Sequence, residues 1–82
     1  MDYILTPHAK QRMVERLIPD KLIAATLRNP TKVLYDSRGR LLFKKLYQKK
    51  GQTRLLLIAG IKTGNSLRIV TVIDTSKLRK YL

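Results

Sequence analysis

The sequence has no cysteine, one histidine and five acidic residues among its 82 positions. Without cysteine the chain offers no disulfide framework, no thiolate nucleophile and no thiolate metal site. His8 alone does not build a multi-histidine metal cage. One glutamate is too few for the carboxylate pair of a glycosidase, and four scattered aspartates do not supply the acidic cluster of a two-metal nuclease. The sequence therefore predicts no metal and no cofactor.

Long hydrophobic runs are also missing. The longest apolar run, residues 55–60, is about a third of the roughly 20 residues that a membrane-spanning helix needs. Met1 and Asp2 do not open a signal peptide. We therefore expect a cytoplasmic protein that does not enter a membrane. A chain of this length buries one core, so residues 1–82 are predicted to form a single domain.

Positive charge is the dominant feature of the composition. Lys and Arg number 18, the formal net charge is +13, and 44% of the residues are hydrophobic. That hydrophobic content is typical of a packed domain, so the charge is expected on a folded body and not on a disordered tail. Nucleic acid is the leading partner because each phosphate contact releases counterions, and an acidic protein or a membrane surface is the alternative.

Turn signals divide the chain into two helices followed by a run of strands. Thr6 and Pro7 start a helix, because a capping hydroxyl precedes a ring preset at the first helical position. The predicted elements are a short strand over residues 3–5, helices at about 7–17 and 20–29, and strands at about 32–36, 40–49, 53–61 and 66–74. Residues 75–82 receive no assignment. The sequence thus predicts an α+β domain of order β-α-α-β-β-β-β, with two N-terminal helices packed on a twisted antiparallel sheet.

The first predicted helix has an apolar side and a cationic side. The apolar side carries Ala9, Met13 and Leu17, with Val14 beside them, and the outward side carries His8, Arg12 and Arg16 at i, i+4 and i+8. A row of cations at this spacing costs stability. It is interpreted either as a solvated face or as a phosphate-binding row in which His8 is the titratable member.

A second group of polar residues lies on the predicted strands. Its members are Lys44, Lys45, Tyr47, Lys49, Lys50, Arg54 and Arg68. Neighbouring strands stand about 5 Å apart, so side chains on one face of three strands are expected to converge on a single phosphate. The alternative is a basic but chemically passive surface, because lysines on edge strands also prevent edge-to-edge aggregation.

These residue types suit one reaction in particular, the cleavage of RNA by its own 2′-hydroxyl. The reaction needs a base for the 2′ proton, cations for the dianionic phosphorane and an acid for the 5′-oxygen. Dense positive charge favours the neutral form of lysine and histidine, so Lys44, Lys45 or His8 is the predicted base.

The N-terminal residues resemble a known pattern. Residues 6–18 read T-P-H-A-K-Q-R-M-V-E-R-L-I, which is similar to the T-x-H-A-x-x-R-x-x-x-R-x-I motif of a small prokaryotic family allied to the BrnT toxins. The similarity continues through a second helix ending at Asn29-Pro30 and closes at residues 69–73. The resemblance implies a fold like the RelE and BrnT ribonuclease toxins, with an RNA-cleaving activity that an antitoxin neutralises.

The resemblance also implies site residues. His8, Arg12 and Arg16 match the motif, Arg54 and Arg68 look like the phosphate-contacting strand arginines of the toxins, and Tyr81 is loosely similar to a late aromatic of RelE-like enzymes. Lys44 and Lys45 align with no particular toxin residue, and they, Tyr47, Lys49 and Lys50 are added from the strand pattern alone. Together, the predicted catalytic residues are His8, Lys44, Lys45, Arg54, Arg68 and Tyr81, and the predicted RNA-binding residues are Arg12, Arg16, Tyr47, Lys49 and Lys50.

Three functional hypotheses follow. The first is a metal-independent endoribonuclease toxin that acts on RNA, free or on the ribosome, and that pairs with an acidic cognate antitoxin. The second is a non-catalytic RNA- or ribosome-binding module that uses the same basic face. The third is a protein that binds an acidic partner protein through its positive charge. None of the three hypotheses involves a membrane.

Overall fold

A computed structural model describes residues 2–82 of the chain. The elements in chain order are β1 (Asp2–Leu5), α1 (Pro7–Glu15), α2 (Asp20–Arg28), β2 (Lys32–Tyr35), β3 (Leu41–Lys49), β4 (Gln52–Thr63), β5 (Ser66–Thr75) and α3 (Leu78–Tyr81). The predicted α+β class is confirmed. The predicted order ends one element early, because α3 follows β5 in the tail that received no assignment.

The five strands form one mixed sheet of order β1-β5-β4-β3-β2. The hairpins from β2 to β5 are antiparallel, but β1 pairs with β5 in parallel, from Asp2 opposite Ser66 to Leu5 opposite Ile69. The prediction of an antiparallel sheet is therefore wrong at β1. No hairpin joins β1 to β5, since two helices and three strands intervene, so nothing constrains this pair to run antiparallel.

One face of the sheet, here called the helix face, packs against α1 and α2. Its core residues on the strands are Phe43, Leu56, Ile58, Leu67, Ile69 and Val72, and the helices add Ala9, Met13 and Ile23. The opposite face, here called the far face, carries Lys44 and Leu57, which lie opposite each other in β3 and β4. Leu57 is buried although it points away from α1 and α2, and α3 packs on β4 at this face.

α1 begins and ends at recognisable caps. Thr6 Oγ1 accepts a hydrogen bond from Ala9 N–H at 3.2 Å, as the Thr-Pro start predicted. The helix ends at Glu15 because Leu17 adopts a left-handed φ of 54°, and Ile18 N–H donates to Met13 O at 2.9 Å. This is a Schellman ending, which usually places glycine where Leu17 stands. The prediction that Leu17 and Val14 belong to the apolar side is wrong: they are 79% and 75% exposed, and Ile18 is buried instead.

A β-bulge in β5 decides which side chains of this strand face the helices. The register pairs Ala59 with Thr71 but Gly60 with Ile69, so β5 holds one extra residue, Val70. An extra residue reverses the pleat beyond it. Ile69 therefore points to the helix face, and the next residue back along the strand, Arg68, points to the far face.

Candidate functional site

A hydrogen-bonded cluster occupies the helix face near the end of β5. Asp74 Oδ1 accepts a hydrogen bond from Tyr47 Oη at 2.7 Å and another from Arg54 Nε at 3.0 Å. Only 6% of the Asp74 side chain is exposed, against 23% of the Arg54 side chain. The three residues come from β5, β3 and β4, and Tyr47 lies directly opposite Arg54 in the register. Asp74 thus fixes a tyrosine and an arginine on neighbouring strands in one orientation.

The pKa values of the tyrosine and of the arginine in this cluster are both raised. Burial, together with the hydrogen bond to Asp74, raises the pKa of Tyr47 to about 12. The hydrogen bond to Asp74 raises the pKa of Arg54 above its ordinary value. At neutral pH Tyr47 is therefore a neutral donor to the carboxylate and Arg54 is a cation. Besides the Nε bond to Asp74, Arg54 Nη1 donates to Gln52 Oε1 at 3.4 Å, which is a long, exposed and therefore weak hydrogen bond.

Arg12 and Arg16 bring more positive charge to Asp74 from α1. They line a pocket of about 160 Å³ together with residues 71–74 of β5. Arg12 Nη1 lies 4.0 Å from Glu15, and both of these side chains remain more than 40% exposed. Such a long, exposed pair leaves Arg12 available to another anion. Asp74 therefore binds Arg54 directly and also borders the pocket that Arg12 and Arg16 line.

His8 lies one helical turn before Arg12, about 6 Å along the axis of α1, and is exposed. Thr6 N–H donates to Ile69 O at 3.1 Å, which places the start of α1 beside the middle of β5. From there α1 runs along β5 towards Asp74. The stripe of His8, Arg12 and Arg16 therefore leads along the strand to the Asp74 cluster.

Other predicted residues on the helix side have different surroundings. Lys45 Nζ donates to Asn29 O at 2.8 Å, at the C-terminal end of α2. Lys49 and Lys50 are exposed at the β3–β4 turn, where Lys50 and Gly51 both have positive φ. Two such residues form the tight turn that matches the twist of a hairpin. The turn lies at the same end of the sheet as Arg54, two residues into β4.

The far face holds the predicted site residues Lys44, Arg68 and Tyr81. Lys44 and Lys45 are consecutive in a strand, so they point to opposite faces. Lys44 is 8% exposed, and its Nζ reaches Leu82 O at 3.5 Å. Lys32 Nζ donates to the same oxygen at 3.2 Å, which places the end of α3, with Tyr81, on this side.

The predicted convergence of Arg54 and Arg68 on one phosphate is wrong. Without the bulge at Val70 the two arginines would share a face; with it, Arg68 pairs with Ile61 on the far face. Arg68 and Arg54 are also about 23 Å apart along the sheet, because Ile61 is seven residues from Arg54 in β4.

Asp74 is the functional residue that sequence reasoning missed. The sequence signal was a single carboxylate at the end of an apolar strand in a strongly basic chain. Within residues 2–82, no group of three or more His, Asp or Glu side chains is placed to hold a metal ion. In the same residues, no helix has the length and apolar character needed to cross a membrane.

Residues 5–80 match the family model described as "Domain of unknown function (DUF4258)". No curated protein and no solved structure matches the chain. The match covers every residue of the Asp74 cluster and the whole cationic stripe of α1.

Proposed function

We propose that this chain, which belongs to the DUF4258 family, is a metal-independent endoribonuclease that holds an RNA phosphate among Arg12, Arg16 and Arg54. The observation that carries the proposal is the Arg54 guanidinium, held by the buried Asp74 beside a pocket that Arg12 and Arg16 line. The likeness of residues 6–18 to the motif of the BrnT-allied family supports the further proposal that the protein has a RelE- or BrnT-like fold and acts as the toxin of a toxin–antitoxin pair.

The geometry of Arg54 supports the proposal of phosphate binding. A guanidinium presents its donors in a planar fork that matches two phosphate oxygens. Asp74 fixes this fork through Nε, so less side-chain entropy is lost when the terminal nitrogens bind an anion. Arg12 and Arg16 add charge on the other side of Asp74. RNA is the polyanion that fits best, because the cations continue along α1 and to the Lys49-Lys50 turn.

Cleavage requires a base that accepts the 2′ proton, and we propose that His8, on the cationic stripe, is that base. In the proposed reaction the 2′-oxygen attacks the adjacent phosphorus at the Arg12 end of the pocket, and His8, one helical turn from Arg12, accepts the 2′ proton. The arginines stabilise the negative charge that grows on the phosphorane oxygens. The bond to the 5′-oxygen then breaks, solvent protonates that oxygen, and the products end in a 2′,3′-cyclic phosphate and a 5′-hydroxyl.

The test is an RNA cleavage assay with and without ribosomes, on the unmodified protein and the His8→Asn, Arg54→Gln and Arg68→Gln variants. Arg54→Gln and Arg68→Gln form a matched pair, since each removes one strand arginine and the same charge. We expect 2′,3′-cyclic phosphate products from the unmodified protein and from Arg68→Gln. We expect a loss of at least about tenfold in rate for Arg54→Gln and about a hundredfold or more for His8→Asn.

Two results would redirect the proposal. If the unmodified protein binds RNA but does not cleave it, even on ribosomes, the endoribonuclease proposal is refuted. The non-catalytic RNA-binding module is then the remaining hypothesis. If the purified protein cleaves RNA while its expression without an antitoxin leaves cell growth and cellular RNA intact, the toxin role is refuted and the endoribonuclease activity is kept.

A further inference from the structure

The outer edge of β5 has a strand neighbour over only part of its length. β1 pairs with residues Ser66 to Ile69, and Thr6 then hydrogen-bonds Ile69 O and Val70 O before the chain enters α1. From Thr71 to Thr75, β5 pairs with β4 on one side and with no other strand of residues 2–82 on the other. Backbone donors and acceptors along this edge are available to an added strand.

This open edge coincides with the arginine pocket. Residues 71–74 line it together with Arg12 and Arg16. The edge is therefore flanked by two guanidinium groups from the helix above it. A partner that uses both features needs an extended backbone and negative side chains.

We propose that the β5 edge from Thr71 to Thr75 takes an extended acidic segment of a partner protein as an added strand, with its carboxylates bound by Arg12 and Arg16. Strand addition supplies affinity through backbone hydrogen bonds, and the side chains supply specificity. The chain carries a net charge of +13, so an acidic segment is attracted before contact.

The spacing of Arg12 and Arg16 favours a particular spacing of acidic residues in the partner segment. Arg12 and Arg16 are four residues apart on α1, about 6 Å along the helix axis. Residues two apart on one face of an extended strand are about 6.7 Å apart. Acidic residues at positions i and i+2 therefore match the two arginines, whereas acidic residues at i and i+1 point to opposite faces.

A second copy of this chain is a poor occupant of the same edge. Two copies paired through β5 would bring both arginine pairs together, between two bodies of charge +13 each. The like charges that repel a second copy are the ones that attract an acidic segment.

The added strand would cover the pocket that the proposed function assigns to an RNA phosphate, and a bound partner would therefore block RNA binding. This regulatory consequence rests on the proposed function. The strand site itself does not, because peptide binding is measured without RNA. Loss of peptide binding and loss of RNA cleavage are therefore separate results.

The experiment uses two eight-residue peptides of threonine with two glutamates, one with the glutamates at i and i+2 and its isomer with them at i and i+1. Hydrogen exchange of the full-length protein is followed by NMR at low salt, together with affinity from chemical-shift titration. We expect the i, i+2 peptide to slow exchange at alternate amides from Thr71 to Thr75. Its affinity should exceed that of the isomer by about threefold to tenfold.

Arginine variants complete the test. Arg12→Gln and Arg16→Gln should each weaken the i, i+2 peptide by up to about fivefold, while Arg38→Gln, on the exposed β2–β3 turn, should not. Equal affinity for both peptides, an equal effect of all three variants, or no slowed exchange at residues 71–75 would overturn the proposal. Binding of a short oligonucleotide at these amides without binding of the peptide would assign the edge to nucleic acid.

Discussion

Replacing Asp74 with asparagine tests whether its carboxylate holds the site together. Asp74 is almost fully buried and accepts hydrogen bonds at 2.7 and 3.0 Å from Tyr47 and Arg54. Hydrogen bonds to a charged group contribute about 1.5–3 kcal/mol, and those between neutral groups about 0.5–1.5 kcal/mol. Asparagine keeps the shape and one acceptor oxygen, so each bond loses about 1 kcal/mol and the free energy of unfolding falls by about 2 kcal/mol.

For a domain of this size that change lowers the Tm by about 8–16 °C. Thermal unfolding followed by circular dichroism measures it, with Glu15→Gln as the matched control. Glu15 is 49% exposed and lies 4.0 Å from Arg12, so its loss should cost at most about 0.5 kcal/mol. Both variants raise the net charge by one, which cancels the general repulsion. Equal Tm shifts in the two variants would refute the argument that Asp74 positions Arg54 and Tyr47.

Three further predictions concern single residues. The free energy of unfolding should fall as pH rises from about 10 to 12, because the unfolded chain releases the tyrosine proton near pH 10 while the folded chain keeps the proton of Tyr47 up to its raised pKa. Urea unfolding at each pH measures this fall, which should be smaller in Tyr47→Phe. Leu17→Asn should raise the Tm by a few degrees in a thermal scan, because asparagine tolerates the left-handed φ of 54° at this exposed position, and an unchanged or lower Tm would contradict the assignment of strain. Lys44→Met should leave RNA cleavage within about twofold of the unmodified protein, because Lys44 is buried on the far face; a loss as large as that of Arg54→Gln would place the site on the wrong face.

The parts of the fold that local sequence determines were predictable. Thr6 and Pro7 predicted the start of α1, and the turn signals predicted the hairpins from β2 to β5. The end of α1 was not predictable in the same way, because its Schellman ending has Leu17 where the sequence signal is normally glycine. The parallel pairing of β1 joins residues more than 60 positions apart, and no local pattern reports it.

The candidate site depended on the sheet register more than on residue types. The arginine stripe of α1 was visible in the sequence, but the bulge at Val70 reversed the direction of Arg68 and removed it from the cluster. The glycine at this register shift is Gly60 on the partner strand β4, where the Leu67 side chain leaves no room for a Cβ. β5 itself has no glycine, so alternation along β5 gave the wrong face. Asp74 was missed because its partners, Tyr47 and Arg54, are 27 and 20 residues away and meet it only through the pairing of three strands.

The central claim is that the arginines around Asp74 on the helix face hold an RNA phosphate. Its most direct test is the affinity of a short single-stranded RNA, measured by fluorescence anisotropy at several salt concentrations for Arg54→Gln, Arg54→Lys and Arg68→Gln. We predict about a tenfold loss of affinity for Arg54→Gln, a smaller loss for Arg54→Lys, and a salt slope lower by about 0.7 for Arg54→Gln. Arg68→Gln should bind within about twofold of the unmodified protein. Equal losses for Arg54→Gln and Arg68→Gln, in folded variants, would contradict the claim.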